Sequence, residues 1–552
     1  MKKWVANNNL NMISRPLFFT LSIFLMSFAL VGSCSKDSGT NNSGSDNSIV
    51  FSFTDVTAQA GFNYTHSFMS GGPESEPQRI SGGVAAGDYD NDGWVDLYAV
   101  AGDGGANLLF RNLSNGTFQE VAKSAGVDVS GVIGAGPTFA DYDGDGYLDL
   151  FIGGVSPPGK VLLFNNNGDG TFNDVTSDSM LGTVSKNTTF SSAFGDYDMD
   201  GDQDLFMTHW GSGVALFDRS SEHLWRNNGD GTFTDVSIES GISQSYWGKF
   251  HFAFTPNWSD INNDGYLDML VTGDFGTSQI FINQQDGTFL NTTTDAIDDE
   301  NGMGGAVGDY DNDLDFDWFV SSIYDPNGMA EANWGVSGNR LYRNNGNGVF
   351  KNVTEPAGVE HGFWGWGSCF ADLDNDTNPD LVHVNGFSTN SAVEYFNDPT
   401  RVFISNGNGT FTERAQELGL NDNGQGRGIV CFDYDMDGDI DIFIANNDQP
   451  PKLYRNDGGN QNNFLSIKLN GLPPNTQGVG AKIIITASGG KSQIREIRAG
   501  SNFVSQNPAY AHFGLGGAEV VEDIDIEWLD GSTSNLQDVA ANQFLTVEHP
   551  LN

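Results

Sequence analysis

Carboxylate side chains are crowded into seven short stretches of this sequence, with the same spacing in each. One stretch reads "DYDGDGYLD" and another "DYDMDGDQD", so that aspartate stands at positions 1, 3, 5 and 9; asparagine replaces it once in the seven copies. Alternate side chains of a tight loop converge, and hard oxygens gathered at one point suit Ca²⁺, which takes about 6–8 oxygen ligands. The spacing therefore predicts up to seven calcium sites.

We number the loops one to seven along the chain. Their predicted calcium ligands are Asp88, Asp90, Asp92 and Asp96; Asp141, Asp143, Asp145 and Asp149; Asp196, Asp198, Asp200 and Asp204; Asp260, Asn262, Asp264 and Asp268; Asp309, Asp311, Asp313 and Asp317; Asp372, Asp374, Asp376 and Asp380; and Asp433, Asp435, Asp437 and Asp441. Glycine at position 6 permits the sharp turn. Leu314 and Thr377 replace it in loops five and six, so we expect those two sites to be distorted or weaker. An EF-hand is excluded, because its glutamate at position 12 is replaced by apolar residues such as Ile152.

Short strands must position these loops. The loops begin 49 to 64 residues apart, and after nearly every one comes an apolar run, an Asn/Asp-Gly turn and a second run, as in "LWRNNGDGTFTDV". Such a pattern is a strong hairpin signal. One strand before the loop, one after it and two in the hairpin give four per repeat, which predicts a seven-bladed β-propeller. The last repeat lacks its final strand, and "FTDVT" at residues 53–57 is expected to complete that blade and close the ring.

Two segments resemble known families. "SAFGDYDMDGDQDLF" and "GTFTDVS" resemble the FG-GAP/VCBS repeat family, whose calcium loops also occur in integrin α-chain propellers, and the likeness spans residues 51–462. Residues 463–552, with "AHFGLGG" and "DIDIEWLDGS", resemble the ASPIC/UnbV domain. The combination resembles the cartilage-acidic-protein family. It implies an all-β chain, a seven-bladed propeller followed by a small all-β domain, in which we expect His512 to be structural.

The N-terminal residues predict export. A basic start and an apolar run at residues 17–31 lead to "ALVGSC", which resembles the bacterial lipobox and predicts residues 1–34 as a signal peptide with lipidated Cys34. Ordinary secretion is the alternative. Residues 35–50 read as a flexible tether. We therefore expect a lipoprotein of the bacterial outer membrane, exposed at the cell surface and held in the membrane by its N-terminal lipid only.

The other two cysteines are expected to be buried free thiols. Cys369 lies three residues before its aspartate loop and Cys431 two residues before its own. On strands of period two these offsets place the side chains on opposite sheet faces. A disulfide is therefore not expected.

Composition limits the partners. The formal net charge is −47, and only 25 residues are Lys or Arg. Nucleic acid is excluded as a partner, because its phosphates require a basic surface. Hydrophobic residues make up 38% of the chain, which is sufficient for a substantial core.

The face of the propeller opposite the aspartate loops is the predicted ligand face. The connections between strands two and three, and between blades, emerge there and vary in length, as function-bearing loops do. Rigid aromatic rings in them suit sugar stacking or a protein hot spot, although a tryptophan can also fold back onto its own blade. The candidate ligand-binding residues are Trp210, Trp247, Trp334, Trp364 and Trp366, with His209, His251 and His361 beside them.

Two functions fit this pattern. The favoured one is a calcium-stabilised surface module that binds polysaccharide or a cell-surface protein. The alternative is a polysaccharide lyase or hydrolase that uses His209, His251 or His361 as acid or base. No nucleophile elbow, zinc signature or phosphate loop is present in the sequence, so we expect binding rather than catalysis.

Overall fold

The computed structural model describes residues 51–155, 160–185, 188–211, 223–243, 252–327, 335–387, 393–500 and 502–552. Cys34 and the predicted signal peptide lie outside this range. The regular secondary structure of the described residues is mainly β-strand, with four short helices, α1 (Thr57–Ala60), α2 (Glu76–Ile80), α3 (Ala122–Ala125) and α4 (Thr354–Ala357). Within the described part of the chain, no helix is both long and apolar enough to cross a membrane.

Seven antiparallel sheets of four strands form the blades of a propeller. Blades one to three contain β2 (Val84–Gly87), β3 (Asp96–Ala99), β4 (Leu108–Asn112) and β5 (Phe118–Glu120); β6 (Ile133–Ala140), β7 (Asp149–Val155), β8 (Leu162–Asn166) and β9 (Phe172–Asp174); and β10 (Thr189–Gly195), β11 (Asp204–His209), β12 (Leu224–Asn227) and β13 (Phe233–Asp235). Blades four to six contain β14 (Ala253–Ser259), β15 (Asp268–Gly273), β16 (Gln279–Asn283) and β17 (Phe289–Asn291); β18 (Gly305–Gly308), β19 (Asp317–Val320), β20 (Arg340–Arg343) and β21 (Lys351–Asn352); and β22 (Gly365–Ala371), β23 (Asp380–Asn385), β24 (Arg401–Ser405) and β25 (Phe411–Glu413).

Both ends of the propeller sequence contribute to the seventh blade. It contains β26 (Gly426–Phe432), β27 (Asp441–Asn446), β28 (Lys452–Asp457) and, as its outer strand, β1 (Ser52–Asp55). β1 pairs antiparallel with β28 along its whole length. This confirms the predicted seven blades and the predicted closure of the ring by the N-terminal strand.

Neighbouring blades pack through a repeated aromatic pair. The phenylalanine of each "GTF" hairpin lies against the tyrosine at position 2 of the aspartate loop in the previous blade. Phe172 of blade two, for example, contacts Tyr89 of blade one, with ring centroids 5.8 Å apart. Phe118 of blade one meets Tyr434 of blade seven in the same way at 6.1 Å. The contact therefore continues across the point where the ring closes.

The C-terminal domain consists of two further sheets around its own apolar core. A three-stranded sheet has the order β33 (Tyr510–Gly516), β29 (Asn463–Asn470), β36 (Gln543–Glu548). A four-stranded sheet has the order β31 (Lys491–Glu496), β30 (Lys482–Ala487), β34 (Val520–Glu527), β35 (Thr533–Ala540). One more short strand of the domain, β32 (Ser505–Gln506), lies outside these two sheets. The predicted small all-β domain is confirmed.

One segment of this domain enters the central channel of the propeller. β32 adds to the inner edge of blade one, parallel to β2. The preceding residues, Phe503 and Val504, are completely buried among residues of several blades. The Phe503 ring centroid lies 5.3 Å from those of Phe254 and Trp366. The C-terminal domain thus fills the channel as well as covering one face.

The prediction of free thiols is wrong, because Cys369 and Cys431 form a disulfide. Cys369 lies on β22 and Cys431 on β26, the inner strands of neighbouring blades. Propeller blades stack face to face, so opposite faces of two adjacent sheets meet each other. The sequence offsets were correct, but they place the two sulfur atoms on facing surfaces.

Candidate metal loops and the two faces of the propeller

The first aspartate of each loop holds the turn in shape. In loop two, Oδ1 of Asp141 accepts the backbone N–H of Asp145 (3.1 Å), and Oδ2 accepts that of Gly146 (2.9 Å). The same two bonds form in the other six loops. The carboxylate at position 1 is therefore fixed by the backbone of its own loop.

The last aspartate joins the loop to its blade. Oδ2 of Asp149 accepts the N–H of Tyr142 at position 2 (3.1 Å), and Oδ1 accepts the N–H of Asn166 on β8 (2.8 Å). Both bonds recur in every loop. Positions 1 and 9 are thus preorganised, which reduces the loss of freedom when a ligand binds.

The predicted ligands converge and leave oxygens without partners. In loop five, ligand atoms of Asp309, Asp311, Asp313 and Asp317 all lie within 4.8 Å of one another, and three carboxylates do so in loops one, two, three and six. At position 3 a buried Oδ1 lacks a hydrogen-bond partner among the described residues in five loops, at Asp90, Asp198, Asp311, Asp374 and Asp435. Buried oxygens of this kind need a donor or a cation, so these acidic clusters could bind a metal ion.

Burial makes these carboxylates difficult to ionise without a counter-ion. Burial, reinforced by neighbouring carboxylates, raises the pKa of Asp96 to about 9 and that of Asp433 to about 8. The pKa of Asp149 lies well above its usual range for the same reasons. A bound cation would stabilise the ionised forms. The donor set, oxygens only, fits a hard divalent cation.

Loops five and six keep the geometry of the others. Leu314 (φ 72°) and Thr377 (φ 87°) adopt the positive φ that glycine has elsewhere at position 6. Their N–H groups still donate to Oδ2 of Asp309 (3.0 Å) and Asp372 (2.8 Å). The predicted distortion is therefore wrong for the backbone, which instead accepts strained torsions. Weaker binding at these loops stays a prediction.

An asparagine that the sequence analysis missed connects neighbouring loops. Nδ2 of Asn166 donates to the carbonyl of Tyr89 in loop one (2.9 Å). Equivalent bonds link other blades to the loop before them, and Asn112 reaches Tyr434 of loop seven (2.9 Å). Ser405 occupies this position in blade six. The recurring "RN" or "NN" after the third apolar run was the available signal.

The C-terminal domain lies on the aspartate-loop face. Nζ of Lys482 is 2.7 Å from Oδ2 of Asp260, and both side chains are buried. Nζ of Lys468 is 3.4 Å from Oδ2 of Asp88. Further hydrogen bonds join Thr476 to Asp141, Lys491 to Thr377, and Tyr510 to the backbone of Asp433. His512 also lies here, bonded to Asn375. The few basic residues of the chain are thus used partly to hold this domain on the acidic loops.

On the opposite face, the described tryptophans are buried. Trp364 and Trp366 are each 2% exposed, and Trp364 stacks on Phe387 at 4.4 Å. Trp210 is 9% exposed, and its indole N–H donates to Asp274 (3.0 Å). The prediction that these three rings are available to a ligand is wrong, because they pack into the core around the channel. Trp247 and Trp334 lie outside the described residues.

The candidate histidines do not share one environment. His209 is buried, 3.2 Å from Oγ1 of Thr189, and its ring lies 5.0 Å from that of His223. His361 is exposed and stacks on Tyr324 with a centroid distance of 4.2 Å. His251 lies outside the described residues. Among the described candidates, only His361 is accessible to a ligand.

Other exposed side chains do lie on this opposite face. Phe275 lies two residues after the end of β15, is 53% exposed and has a strained positive φ of 55°. Val336 follows β19 and precedes β20, while Val393 and Phe396 follow β23; all three are exposed. We call these residues, together with the Tyr324–His361 stack, the opposite-face patch.

Comparisons with known proteins agree with this architecture. The family described as FG-GAP-like repeat matches residues 88–152, 141–207, 260–320, 327–383 and 391–444, more than half of the chain. The family described as ASPIC and UnbV matches residues 471–551. Cartilage acidic protein 1 of Homo sapiens is 26% identical over 529 residues, covering 88% of this chain and 75% of that protein. Its counterpart from Mus musculus is 26% identical over 500 residues, covering 85% and 73%.

Two solved structures are similar to this chain at low sequence identity. BBS1N, in its complex with ARL6DN, has a TM-score of 0.39 and 9% identity, covering 68% of this chain and 93% of that one. YCF48 from Cyanidioschyzon merolae has a TM-score of 0.37 and 10% identity, covering 68% and 96%.

The repeats and the C-terminal domain together assign the chain to a family. The matched repeats contain the aspartate loops of all seven blades, and the second match lies within the two-sheet domain that covers them. A repeat propeller joined to such a domain indicates a binding or adhesion role. The chain belongs to the FG-GAP-like repeat family and, with its C-terminal ASPIC and UnbV domain, has the architecture of cartilage acidic protein 1.

Proposed function

We propose that this protein is a calcium-stabilised adhesion module of the bacterial cell surface. It binds polysaccharide or a partner protein through the face opposite the aspartate loops. The observation that carries this proposal is the difference between the faces, since the C-terminal domain occupies one of them and the opposite-face patch leaves apolar side chains exposed on the other.

Calcium is the cation we assign to the loops. Four oxygens at fixed spacing, a ring of buried carboxylates and the orphaned position-3 oxygens all favour a hard ion with many oxygen ligands. Positions 1, 3, 5 and 9 of each loop would hold it. The ion would offset the repulsion between carboxylates, so its role would be to stabilise the blades.

The opposite-face patch supports a ligand rather than further packing. Phe275 combines an exposed ring with a positive φ, and strained residues of this kind cluster at binding sites. The Tyr324–His361 stack adds an accessible flat surface. Such rings suit either a sugar ring or an apolar protein side chain.

The test is a binding assay with the full chain in detergent and calcium. It would be passed over immobilised polysaccharides and, in parallel, crosslinked to surface proteins of the cell envelope. Retention on one glycan without new reducing or unsaturated ends, or crosslinking to one protein, would support the proposal. Release of new ends would overturn it in favour of an enzyme.

Two substitutions locate the site. Phe275→Ser and His361→Ala are expected to weaken the retention about tenfold. Phe544→Ser is the matched control, because this ring is 41% exposed but lies on the C-terminal domain. Equal loss in all three variants, or no loss in the first two, would overturn the assignment to the opposite face.

Anchoring through Cys34 is part of the same proposal. The lipid would hold the membrane end, and residues 35–50 would let the propeller extend from it. Cys34→Ser is expected to abolish labelling by radioactive palmitate and to release the protein from the membrane fraction. Membrane retention of this variant would overturn the lipid anchor. Intact cells treated with protease would report surface exposure.

A further inference from the structure

A single position on strand three of each blade faces the aspartate loop of that blade. It precedes the asparagine that joins neighbouring loops. From blade one to blade seven the residues at this position are Arg111, Asn165, Arg226, Ile282, Arg343, Ile404 and Arg455. Arginine therefore occupies this position in the odd-numbered blades, and asparagine or isoleucine in the even-numbered blades.

In loops one and five the guanidinium joins two of the predicted ligands. Nε of Arg111 lies 2.6 Å from Oδ2 of Asp90, and its Nη2 lies 2.9 Å from Oδ2 of Asp92. In loop five the corresponding distances from Arg343 are 2.9 Å to Asp311 and 2.7 Å to Asp313. The arginine therefore clamps the carboxylates at positions 3 and 5.

Loop two contains the same four aspartates without this clamp. Nδ2 of Asn165 donates to Oδ2 of Asp143 (2.6 Å) and to Oδ1 of Asp149 (3.3 Å). The amide supplies hydrogen bonds but no charge. Loops one, two and five therefore have equal aspartate sets. Loops one and two also share glycine at position 6 and are the closest match, whereas loop five has Leu314 there.

The C-terminal domain reinforces the difference. Lys468 brings a second positive charge to Asp88 of loop one. Arg495 acts electrostatically on Asp309 of loop five. Loop two meets the neutral hydroxyl of Thr476 instead. Loops one and five thus face two cationic groups each, and loop two faces neutral ones.

We propose that the calcium sites of this protein fall into two affinity classes, and that the strand-three side chain sets the class. This inference rests on the proposed calcium function. A guanidinium held by two ligand carboxylates competes with a divalent cation for the same negative charge, and calcium affinity depends on the net charge of the ligands. Loops one and five fill only at higher free calcium, whereas loop two fills first.

The remaining loops are poorer comparisons. In loop three, Arg226 acts electrostatically on Asp198 but forms no ion pair with an aspartate among the described residues. Arg455 is held by Asp457 (2.7 Å). Loop four has Asn262 at position 3 and the ammonium of Lys482 on Asp260. The strand-three residue of loop six is Ile404, whose alkyl side chain supplies neither a charge nor a hydrogen bond. The test is therefore placed on loops one, two and five.

The experiment measures bound calcium per full-length chain against free calcium, by equilibrium dialysis with radioactive calcium. The wild-type isotherm is expected to have two phases. Arg111→Asn and Arg343→Asn should each move one site into the tight phase, with a dissociation constant lower by roughly tenfold. Asn165→Arg should move one site from the tight phase into the weak phase. Circular dichroism would verify that each variant is folded.

Lys452→Asn is the matched control. It removes a basic strand-three residue that pairs with Asp55 (2.7 Å) at the end of the blade away from the loops. Its isotherm should equal that of the wild type. If none of the three loop variants changes the calcium isotherm, or if the control changes it equally, the two affinity classes are refuted while the calcium sites themselves remain. A wild-type chain that binds no calcium would overturn the proposed calcium function itself.

Discussion

The two faces of the propeller are built by different means. On the aspartate-loop face, the same backbone bonds recur in every blade, and the C-terminal domain contacts several loops. On the opposite face, the connections differ in length and sequence, and aromatic rings are either packed inward, as Trp366 is, or exposed, as Phe275 is.

This difference separates stability from recognition. Repetition allows one favourable loop to be used seven times, and a covering domain then removes that face from contact with partners. Variation on the other face can proceed without disturbing the ring, as with function-bearing loops on a rigid scaffold.

Removal of calcium is expected to have the largest effect on stability. Each site would contribute about 2.7 kcal/mol at free calcium 100-fold above its dissociation constant, and several sites act together. Chelation by EGTA should therefore lower the melting temperature of the full chain more than any single substitution does. Differential scanning calorimetry would measure it. An unchanged melting temperature would refute the metal assignment.

Loss of the Phe503 ring is expected to have the next largest effect. Phe503→Ala would leave a cavity in the channel beside Phe254 and Trp366, at a loss of about 3–5 kcal/mol in the free energy of unfolding. Leu551→Ala, at a side chain of the same domain that is 75% exposed, should change it by less than about 0.5 kcal/mol. Urea unfolding would compare them. Equal effects would mean that the channel segment does not support the propeller.

The sequence predicted those contacts of the fold that repeat from blade to blade. Seven copies of one loop, together with the displaced "FTDV" strand, were sufficient to predict the blade number and the closure by β1. The disulfide was missed because the offset of Cys369 and Cys431 was judged within a single sheet, whereas their contact lies between two.

Contacts that occur only once in the fold could not be predicted from the sequence. Nothing in the sequence around Phe503 or Lys482 marks them as channel filler and loop partner, because such roles depend on how two domains meet. Trp364 and Trp366 were assigned to the surface because their segment connects blades, but the channel needs large rings to fill it. Site residues from the repeat were predictable, whereas of the opposite-face patch only His361 was predicted.

An acid on the opposite face provides a pH test. Burial raises the pKa of Asp299 to about 6, partly offset by hydrogen bonds from Ser278 and Tyr342. The pKa of Asp299 in the folded protein exceeds the unfolded value of about 3.9. The protonated side chain therefore contributes fully to the free energy of unfolding below pH ~4, and this contribution is lost as the pH rises through ~6. Asp299→Asn removes this dependence.

The stability of Asp299→Asn relative to wild type should rise between pH ~4 and pH ~7, by up to about 3 kcal/mol. Urea unfolding at both pH values, with equal calcium, would measure it, because changes at the loops cancel in the difference between the two proteins. A difference that stays constant with pH would mean that Asp299 ionises normally.

The asparagine bonds between loops are expected to have the smallest effect, and blade six offers a reciprocal test. Asn166→Ser would leave the carbonyls of Tyr89 and Leu148 without their donor, lowering the free energy of unfolding by about 1–3 kcal/mol. Ser405→Asn would supply the missing bond to Tyr310 and raise it by about 1 kcal/mol. Urea unfolding in calcium would measure both. Opposite signs in the two variants would establish the bond as a general link of the ring, whereas losses in both would mean that blade six has adapted to serine.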